Sequence, residues 1–288
     1  MLLSRRDPRF IERLLRTVRP FSHGYFRGEV RGFEALGAGP YLFVANHSIA
    51  APWEIFILLE AWVRQFGLGR PIYGLAHRFG FRLPLFRSAL FKIGAVPASH
   101  EAAHEVLRSG ESLIVFPGGN AEAARSFWRR DRCDLGGHQG WARIALSAGV
   151  PVVPISIAGS HAVNPVLGAS RLLAWLSLAR PLFRISIFPI SVGQLLAAAV
   201  TLGLTAPFLP WWLAAFLAWE AYLAPTSVFF PLLPSKIVAA VGEPIDLAAL
   251  AADHPDEPSA LAAACTLVTG RIQAGIDALV AQRRGVLG

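Results

Sequence analysis

Short apolar runs and longer periodic stretches follow one another along this chain. The short runs predict strands at residues 28–34, 41–45, 71–76, 92–96, 112–116, 151–158 and 236–241. Apolar positions three and four apart predict helices at 52–66, 99–109, 120–130 and 138–148. Strands alternating with helices are typical of an α/β fold in which a mostly parallel central sheet is flanked by helices. We therefore predict a single domain of this class over residues 1–288.

Both ends of the chain carry amphipathic helical patterns. Residues 1–20 include a basic amphipathic helix over 8–19, and residues 258–284 predict a C-terminal helix. Three arginines follow helical spacing on one side of the first helix: Arg9, Arg13 and Arg16. Two interpretations stay open for its apolar side. It packs on its own domain, or it lies on an anionic membrane surface.

An uncharged stretch runs from residue 185 to 219. Two prolines divide it into apolar pieces at 195–206 and 211–223, each about 18–20 Å long as a helix. Neither piece spans an ~30 Å hydrocarbon core. We predict that 193–224 forms an apolar helical hairpin that dips into one membrane leaflet. The alternatives are one kinked helix over 195–219, which is long enough to span, and a hairpin buried inside the protein.

Composition supports a lipid environment. Hydrophobic residues make up 54% of the chain and charged residues 16%, which is more apolar than an ordinary soluble domain. The net charge of +8 suits nucleic acid or anionic lipid, and the apolar excess favours lipid. Two cysteines, Cys133 and Cys265, are too few for a disulfide framework, and the N-terminus lacks a signal-peptide pattern. We expect membrane association at the cytoplasmic face of the inner or plasma membrane, with no nucleic-acid partner.

The stretch from Asn46 to Glu54 is the main candidate for chemistry. A strand leads into His47, and Pro52 suits the first turn of a helix. Glu54 has apolar helical neighbours, and a carboxylate in such surroundings needs a partner, for which His47 is nearest in sequence. A histidine–carboxylate pair fits general-base catalysis. A structural, hydrogen-bonded histidine is the alternative.

A second loop, Pro117-Gly118-Gly119-Asn120, follows the predicted strand at 112–116. Glycines there are simple turn residues, or they bring backbone N–H donors close to an anion. In parallel sheets, sites lie beyond the carboxyl ends of strands. Both loops occupy that position, so we expect them to form one site.

Taken together, four sequence blocks resemble the glycerolipid acyltransferase superfamily. The blocks are Asn46-His47-Ser48 with Glu54 downstream, Gly94-Ala95-Val96-Pro97, Phe116-Pro117-Gly118-Gly119-Asn120-Ala121-Glu122-Ala123, and Gly149-Val150-Pro151-Val152-Val153-Pro154-Ile155. The resemblance implies an acyltransferase fold and transfer of a fatty acyl group from acyl-CoA or acyl-ACP (acyl carrier protein) to a lipid hydroxyl. It implies no cofactor and no metal, with membrane lipids and the acyl donor as partners.

The resemblance also assigns roles to residues. His47 is the expected general base and Glu54 the residue that orients it. The expected substrate-binding residues are Asn46, Ser48, Pro117, Gly118, Gly119, Asn120, Glu122 and Arg125.

Two departures from the family pattern affect the expected acceptor. The usual motif is His-x4-Asp, whereas here the acidic residue is Glu54, seven positions after His47, a spacing that resembles a branch near the diacylglycerol acyltransferases. Gly118 stands where phosphate-acceptor members have Glu, the Thr-Arg that follows in those members is missing, and Arg125 is a candidate substitute. We therefore expect a neutral acceptor such as diacylglycerol or another lipid alcohol.

Two alternatives remain at this level. His100-Glu101-Ala102-Ala103-His104 matches a zinc hydrolase motif, although its spacing fixes no third ligand. Alternatively, Glu54 in place of Asp indicates a catalytically impaired homologue that only binds lipid.

Overall fold

A seven-stranded sheet forms the centre of the computed structural model, which describes residues 3–82, 84–224 and 232–288. In chain order, its described strands and those of a second, smaller sheet are β1 (Glu29–Arg31), β2 (Leu42–Ala45), β3 (Ile72–Ala76), β4 (Ala95–Pro97), β5 (Ser112–Val115), β6 (Val152–Ala158), β7 (Val166–Ser170), β8 (Phe188–Ser191) and β9 (Val238–Val241). The central sheet has the order β1-β9-β6-β2-β5-β3-β4, and β7 pairs with β8. Every described pair of neighbours in the central sheet is parallel except β6 and β9. The predicted fold class is confirmed.

Helices cover both faces of this sheet. They are α1 (Pro8–Arg19), α2 (Ala51–Phe66), α3 (Pro84–Ile93), α4 (His100–Arg108), α5 (Gly119–Ala123), α6 (Gly140–Ala148), α7 (Arg171–Leu176), α8 (Ala179–Phe183), α9 (Val192–Thr205), α10 (Trp211–Leu223), α11 (Leu247–Ala252) and α12 (Glu257–Ala281). All four residues of β2 are buried, because successive side chains point to opposite faces and both faces are covered. Leu42 and Val44 pack with α4, α6 and α12, whereas Phe43 and Ala45 pack with α1 and α2.

The basic N-terminal helix packs on the domain. It extends over Pro8–Arg19, and Asp7 caps it by accepting the N–H of Phe10 at 3.1 Å. Ile11 and Leu15 are buried in the same cluster as α2, so the apolar side is used inside the protein. Of the two interpretations left open by the sequence, the packed helix is the one observed. Residues 1 and 2 of the predicted 1–20 segment lie outside the described residues.

Some elements differ from the sequence predictions. The strand predicted at 92–96 begins only at Ala95, because α3 continues to Ile93. Gly94 follows the helix with a φ of +90°, in the left-handed region that glycine adopts readily. The helix predicted at 120–130 ends at Ala123. Arg125 then turns inward to a buried carboxylate, and a separate 3₁₀ turn follows at Phe127–Arg129. The predicted helix is therefore a short helix and a separate turn, with the buried Arg125 between them.

The apolar stretch at 193–224 contains two helices, α9 and α10, which pack on each other. A capping box begins α9, in which Ser191 accepts the N–H of Gln194 and the Gln194 side chain accepts the N–H of Ser191. Most large side chains of the pair are exposed, so the alternative of a hairpin buried inside the protein is wrong. Across the part of the chain that the structure describes, no helix has both the length and the apolar character needed to cross a bilayer.

Candidate functional site

The two predicted loops meet because their strands are neighbours. Strands β2 and β5 pair in parallel, with Val44 opposite Val115, so the residues after them leave the sheet at the same edge. His47 follows β2, and α5 begins at Gly119 shortly after β5. The ring of Phe116 lies against the imidazole, with 5.1 Å between the ring centroids.

Glu122 is the carboxylate nearest to the imidazole. Its Oε2 lies 3.4 Å from His47 Nδ1 and accepts the backbone N–H of the same residue at 3.3 Å. The Glu122 side chain is fully buried, while that of His47 is 12% exposed. A carboxylate beside Nδ1 favours the tautomer that carries its proton there. Nε2 is then the nitrogen that is free to accept a proton.

Gly118 provides the space for this arrangement. A Cβ at position 118 would collide with the Oε2 of Glu122 and with the carbonyl of Asp134. The φ of Gly118 is −61°, so the glycine is required by the close approach and not by the backbone conformation. Gly118, which stands where the phosphate-acceptor pattern has Glu, therefore leaves the room that lets Glu122 reach His47.

Glu122 also belongs to a buried ion pair. Arg125 Nη1 donates to Oε1 at 3.4 Å, and the N–H of Asp134 donates to the same oxygen at 3.2 Å. A buried carboxylate requires such partners to remain ionised. Arg125 in turn contacts His161 Nε2 through its Nη2 at 2.8 Å.

His161 is a member of this site that the sequence analysis missed. Its complete burial, with the Arg125 guanidinium beside it, holds the pKa of His161 well below its usual range, so the imidazole is neutral. Its Nε2 accepts from Arg125, and the ring hydrogen-bonds to the backbone of His47. The feature of the sequence that could have identified His161 is its position three residues after β6, the parallel neighbour of β2.

Glu54 binds the backbone of the loop. Its two oxygens accept the N–H of Ser48 at 3.0 and 3.3 Å. Complete burial raises the pKa of Glu54, although the nearby His47 and hydrogen bonds from Ser160 and Ser48 act in the opposite direction. Ser160 Oγ is buried beside this carboxylate and makes no other hydrogen bond within the described residues. Among the described residues, no hydrogen bond joins Glu54 to the imidazole of His47. The contact with the imidazole that we predicted for Glu54 is made by Glu122.

The remaining predicted binding residues divide by exposure. Asn46 is fully buried and bridges to β6, because its side chain donates to the Ile157 carbonyl at 2.9 Å and accepts the Ile157 N–H at 2.8 Å. Ser48 is also fully buried, and its hydroxyl accepts the N–H of Ala50 at 3.0 Å. Both side chains fix the His47 loop.

The glycine loop is more open. Pro117 and Gly119 are half-buried and Asn120 is exposed. The Gly119 N–H already donates to the Phe116 carbonyl at 3.2 Å, which limits its use as a donor to an anion. Substrate contacts by these residues stay predictions.

The zinc alternative lacks a ligand set. His104 Nε2 lies 3.4 Å from the hydroxyl of Ser147, on the side of α4 that packs against α6. Within the described residues, no group of three or more His, Cys, Asp or Glu side chains is arranged to hold a metal ion.

Comparisons with known proteins give one family profile and several relatives that match this chain. The profile of the Acyltransferase family matches residues 27–158, which include His47, Glu54 and Glu122. An uncharacterised protein of Mycobacterium leprae is 32% identical over 97% of this chain and 68% of its own length, and one of Mycobacterium tuberculosis is 32% identical over 97% and 69%. A mouse protein described as a "DGAT1/2-independent enzyme synthesizing storage lipids" is 29% identical over 54% of this chain and 45% of its own. The crystal structure of PlsC, the 1-acyl-sn-glycerophosphate (LPA) acyltransferase of Thermotoga maritima, aligns with 93% of this chain and 81% of its own, at a TM-score of 0.45 and 17% identity.

Proposed function

Since this chain belongs to the glycerolipid acyltransferase superfamily, we propose that it transfers a fatty acyl group from a thioester donor to a lipid hydroxyl, with His47 as the general base. The observation that carries this proposal is the contact between Glu122 and His47 Nδ1 at 3.4 Å. It fixes the imidazole at a sheet edge where substrates of α/β proteins bind. The donor is acyl-CoA or acyl-ACP.

The reaction needs one base and one positioned carboxylate. Nε2 of His47 takes the proton of the acceptor hydroxyl while the oxygen attacks the thioester carbonyl. Glu122 stabilises the imidazolium that forms. The tetrahedral intermediate then collapses, the carbon–sulfur bond breaks, and His47 returns its proton to the thiolate. The product is an ester, and the leaving group is a thiol.

Direct attack is favoured over an acyl-enzyme on a cysteine. Burial and the charge of Glu122 raise the pKa of the Cys133 thiol to about 12, and burial raises that of Cys265. Both thiols are therefore protonated at neutral pH, and the thiolate is the nucleophilic form.

A neutral lipid alcohol is the acceptor that we propose. Gly118 replaces the Glu of phosphate-acceptor relatives, and Arg125 is engaged with Glu122 and His161 instead of facing solvent. The mouse relative, which is described as synthesising storage lipids, is consistent with such an acceptor.

The membrane supplies this acceptor, and the topology supports a shared location. β6 ends at Ala158, opposite Val238 of the antiparallel strand β9. The chain between these two residues, which includes α9 and α10, therefore leaves and re-enters the sheet at the edge that holds His47. We propose that this apolar pair of helices rests in the membrane surface beside the site.

The test compares matched changes at the two buried carboxylates. His47→Ala and Glu122→Gln are each expected to lower the turnover number by about 10²–10⁴-fold, because the first removes the base and the second leaves Nδ1 without its carboxylate. Glu54→Gln keeps an acceptor for the N–H of Ser48 and is expected to lose much less. Transfer of a radiolabelled acyl group from acyl-CoA to diacylglycerol in mixed micelles measures the three rates.

Three results would contradict the proposal. Unchanged turnover in His47→Ala would show that His47 is not the general base. A larger loss in Glu54→Gln than in Glu122→Gln, at equal thermal stability, would return the orienting role to Glu54. Absence of transfer by the wild type with every lipid alcohol would favour the homologue that only binds lipid.

A further inference from the structure

A cavity of about 250 Å³ lies next to the site at the same edge of the sheet. Its walls include Arg130, Asp131, Gly159, His161 and Arg283. Gly159 directly follows β6, and His161 belongs to the network that holds His47. The cavity and the candidate base are thus separated by one side chain.

Arg283 is held in place by the protein itself. Nη1 donates to the Lys236 carbonyl at 2.6 Å, and Nη2 donates to the Ser235 hydroxyl at 3.2 Å and to the Val286 carbonyl at 2.6 Å. A guanidinium has five N–H donors, so two of them have no partner among the described residues. A Cβ at Gly159, whose φ is +90°, would collide with Nη1 of Arg283 and with the Lys236 carbonyl. The glycine therefore leaves the room that this guanidinium occupies.

Arg130 is fixed in a similar way. Nη1 donates to the Phe127 carbonyl at 3.3 Å, and the guanidinium carbon lies 4.5 Å from the centre of the Phe127 ring. Nε lies 3.5 Å from Asp131 Oδ2. Within the described residues, its second terminal nitrogen, Nη2, donates to no protein group.

Positive charge exceeds negative charge around this cavity. Arg27 adds a third guanidinium, and both Arg27 and Arg130 join burial in lowering the pKa of Arg283. Asp131 is the carboxylate that acts in the opposite direction. Like charges held together in a partly buried place are stabilised when an anion binds between them.

We propose that this cavity binds the phosphate of the phosphopantetheine arm on which acyl-CoA and acyl carrier protein both carry their thioester. This inference rests on the thioester donor proposed above. Arginines with fixed guanidinium planes are suited to the several oxygens of a phosphate. The cavity is at the small end of ligand pockets, which suits a phosphate group and the atoms next to it better than a complete nucleotide.

Binding is measured apart from turnover, by calorimetry with coenzyme A and with 4′-phosphopantetheine as probes. Arg130→Gln and Arg283→Gln are each expected to weaken the affinity for both probes about 10- to 100-fold, because each removes charged hydrogen bonds. Arg132→Gln makes the same change of charge on an exposed neighbour and is expected to leave both affinities within about twofold. Pantetheine, which lacks the phosphate, is expected to bind equally weakly to all four proteins.

The outcomes separate this inference from the proposed function. His47→Ala is expected to lose transfer while its affinity for coenzyme A is unchanged. If the wild type transfers no acyl group but binds 4′-phosphopantetheine through both arginines, the subsite stands and the proposed reaction fails. Equal affinity in wild type, Arg130→Gln and Arg283→Gln overturns the subsite. Arginine-dependent binding of glycerol 3-phosphate without binding of 4′-phosphopantetheine assigns the cavity to a phosphate acceptor and overturns the donor assignment.

Discussion

At the level of residues, two buried carboxylates lie near His47 and bind different groups. Glu122 contacts the imidazole and the N–H of His47, while Glu54 accepts the N–H of Ser48. Glu122 is compensated by Arg125, whereas burial raises the pKa of Glu54. The first is paired with a guanidinium and contacts the candidate base. The second shapes the loop, and its ionisation affects the stability of the fold.

Glu54→Gln gives a stability change that depends on pH. Because the pKa of Glu54 is raised in the folded state, the folded protein binds a proton that the unfolded chain has lost, and stability falls as pH rises above about 4.3. Gln is neutral and avoids this loss. We expect equal melting temperatures near pH 4 and a growing advantage for Glu54→Gln up to the folded pKa, by at most about 1.4 kcal/mol for each pH unit. Calorimetric melting between pH 4 and 8 measures the difference. A difference that does not vary with pH would contradict it.

At the level of elements, the loop after β5 is built around a close approach. Gly118 and Gly119 are adjacent, but glycine is required at the two positions for different reasons. A Cβ at position 118 would collide with Glu122. A Cβ at position 119 would meet open space, but a residue there must adopt the left-handed φ of +53°. Sequence analysis identified both glycines as loop residues. It did not show that glycine is required at the two positions for different steric reasons, because the difference depends on the carboxylate that α5 brings back toward β2.

Alanine at each glycine tests this difference. Gly118→Ala is expected to displace Glu122, to lower the turnover number by roughly 10-fold or more and to reduce stability by about 1–3 kcal/mol. Gly119→Ala is expected to lose about 1–2 kcal/mol through its left-handed backbone, with little change in turnover. Acyl transfer at a temperature where both variants are folded gives the comparison. Equal losses of turnover would show that the Glu122 contact does not matter.

At the level of the whole molecule, apolar surface is concentrated on the segment that enters and leaves the sheet beside the site. Phe208 is 84% exposed and Trp211 is 81% exposed, both near the turn between α9 and α10. Exposed apolar patches of this kind mark contact with a membrane or another protein. The net charge of +8 favours an anionic surface.

Removal of these two side chains is expected to weaken membrane binding. Phe208→Ser with Trp211→Ser eliminates two side chains that each contribute about 1.5–3 kcal/mol when buried, so binding to vesicles with anionic lipid should fall about 100-fold or more. Trp128→Ser, which removes a side chain that is 76% exposed outside these helices, is the control. Co-sedimentation with sucrose-loaded vesicles measures the bound fraction. An equal loss of vesicle binding in the control would show that α9 and α10 are not the specific site of membrane contact.

The sequence by itself determined the α/β class, most strands and helices, and the loop that carries His47. These features depend on local apolar patterns and on turn residues, which are visible in a window of a few positions. The tertiary structure decided which carboxylate contacts His47. Glu122 is 75 residues away in sequence and comes close only because β2 and β5 pair in parallel. It also decided that the apolar side of α1 is buried, and that Arg130 and Arg283 face one cavity. Contacts of this kind arise from the order of strands in the sheet, which local patterns do not contain.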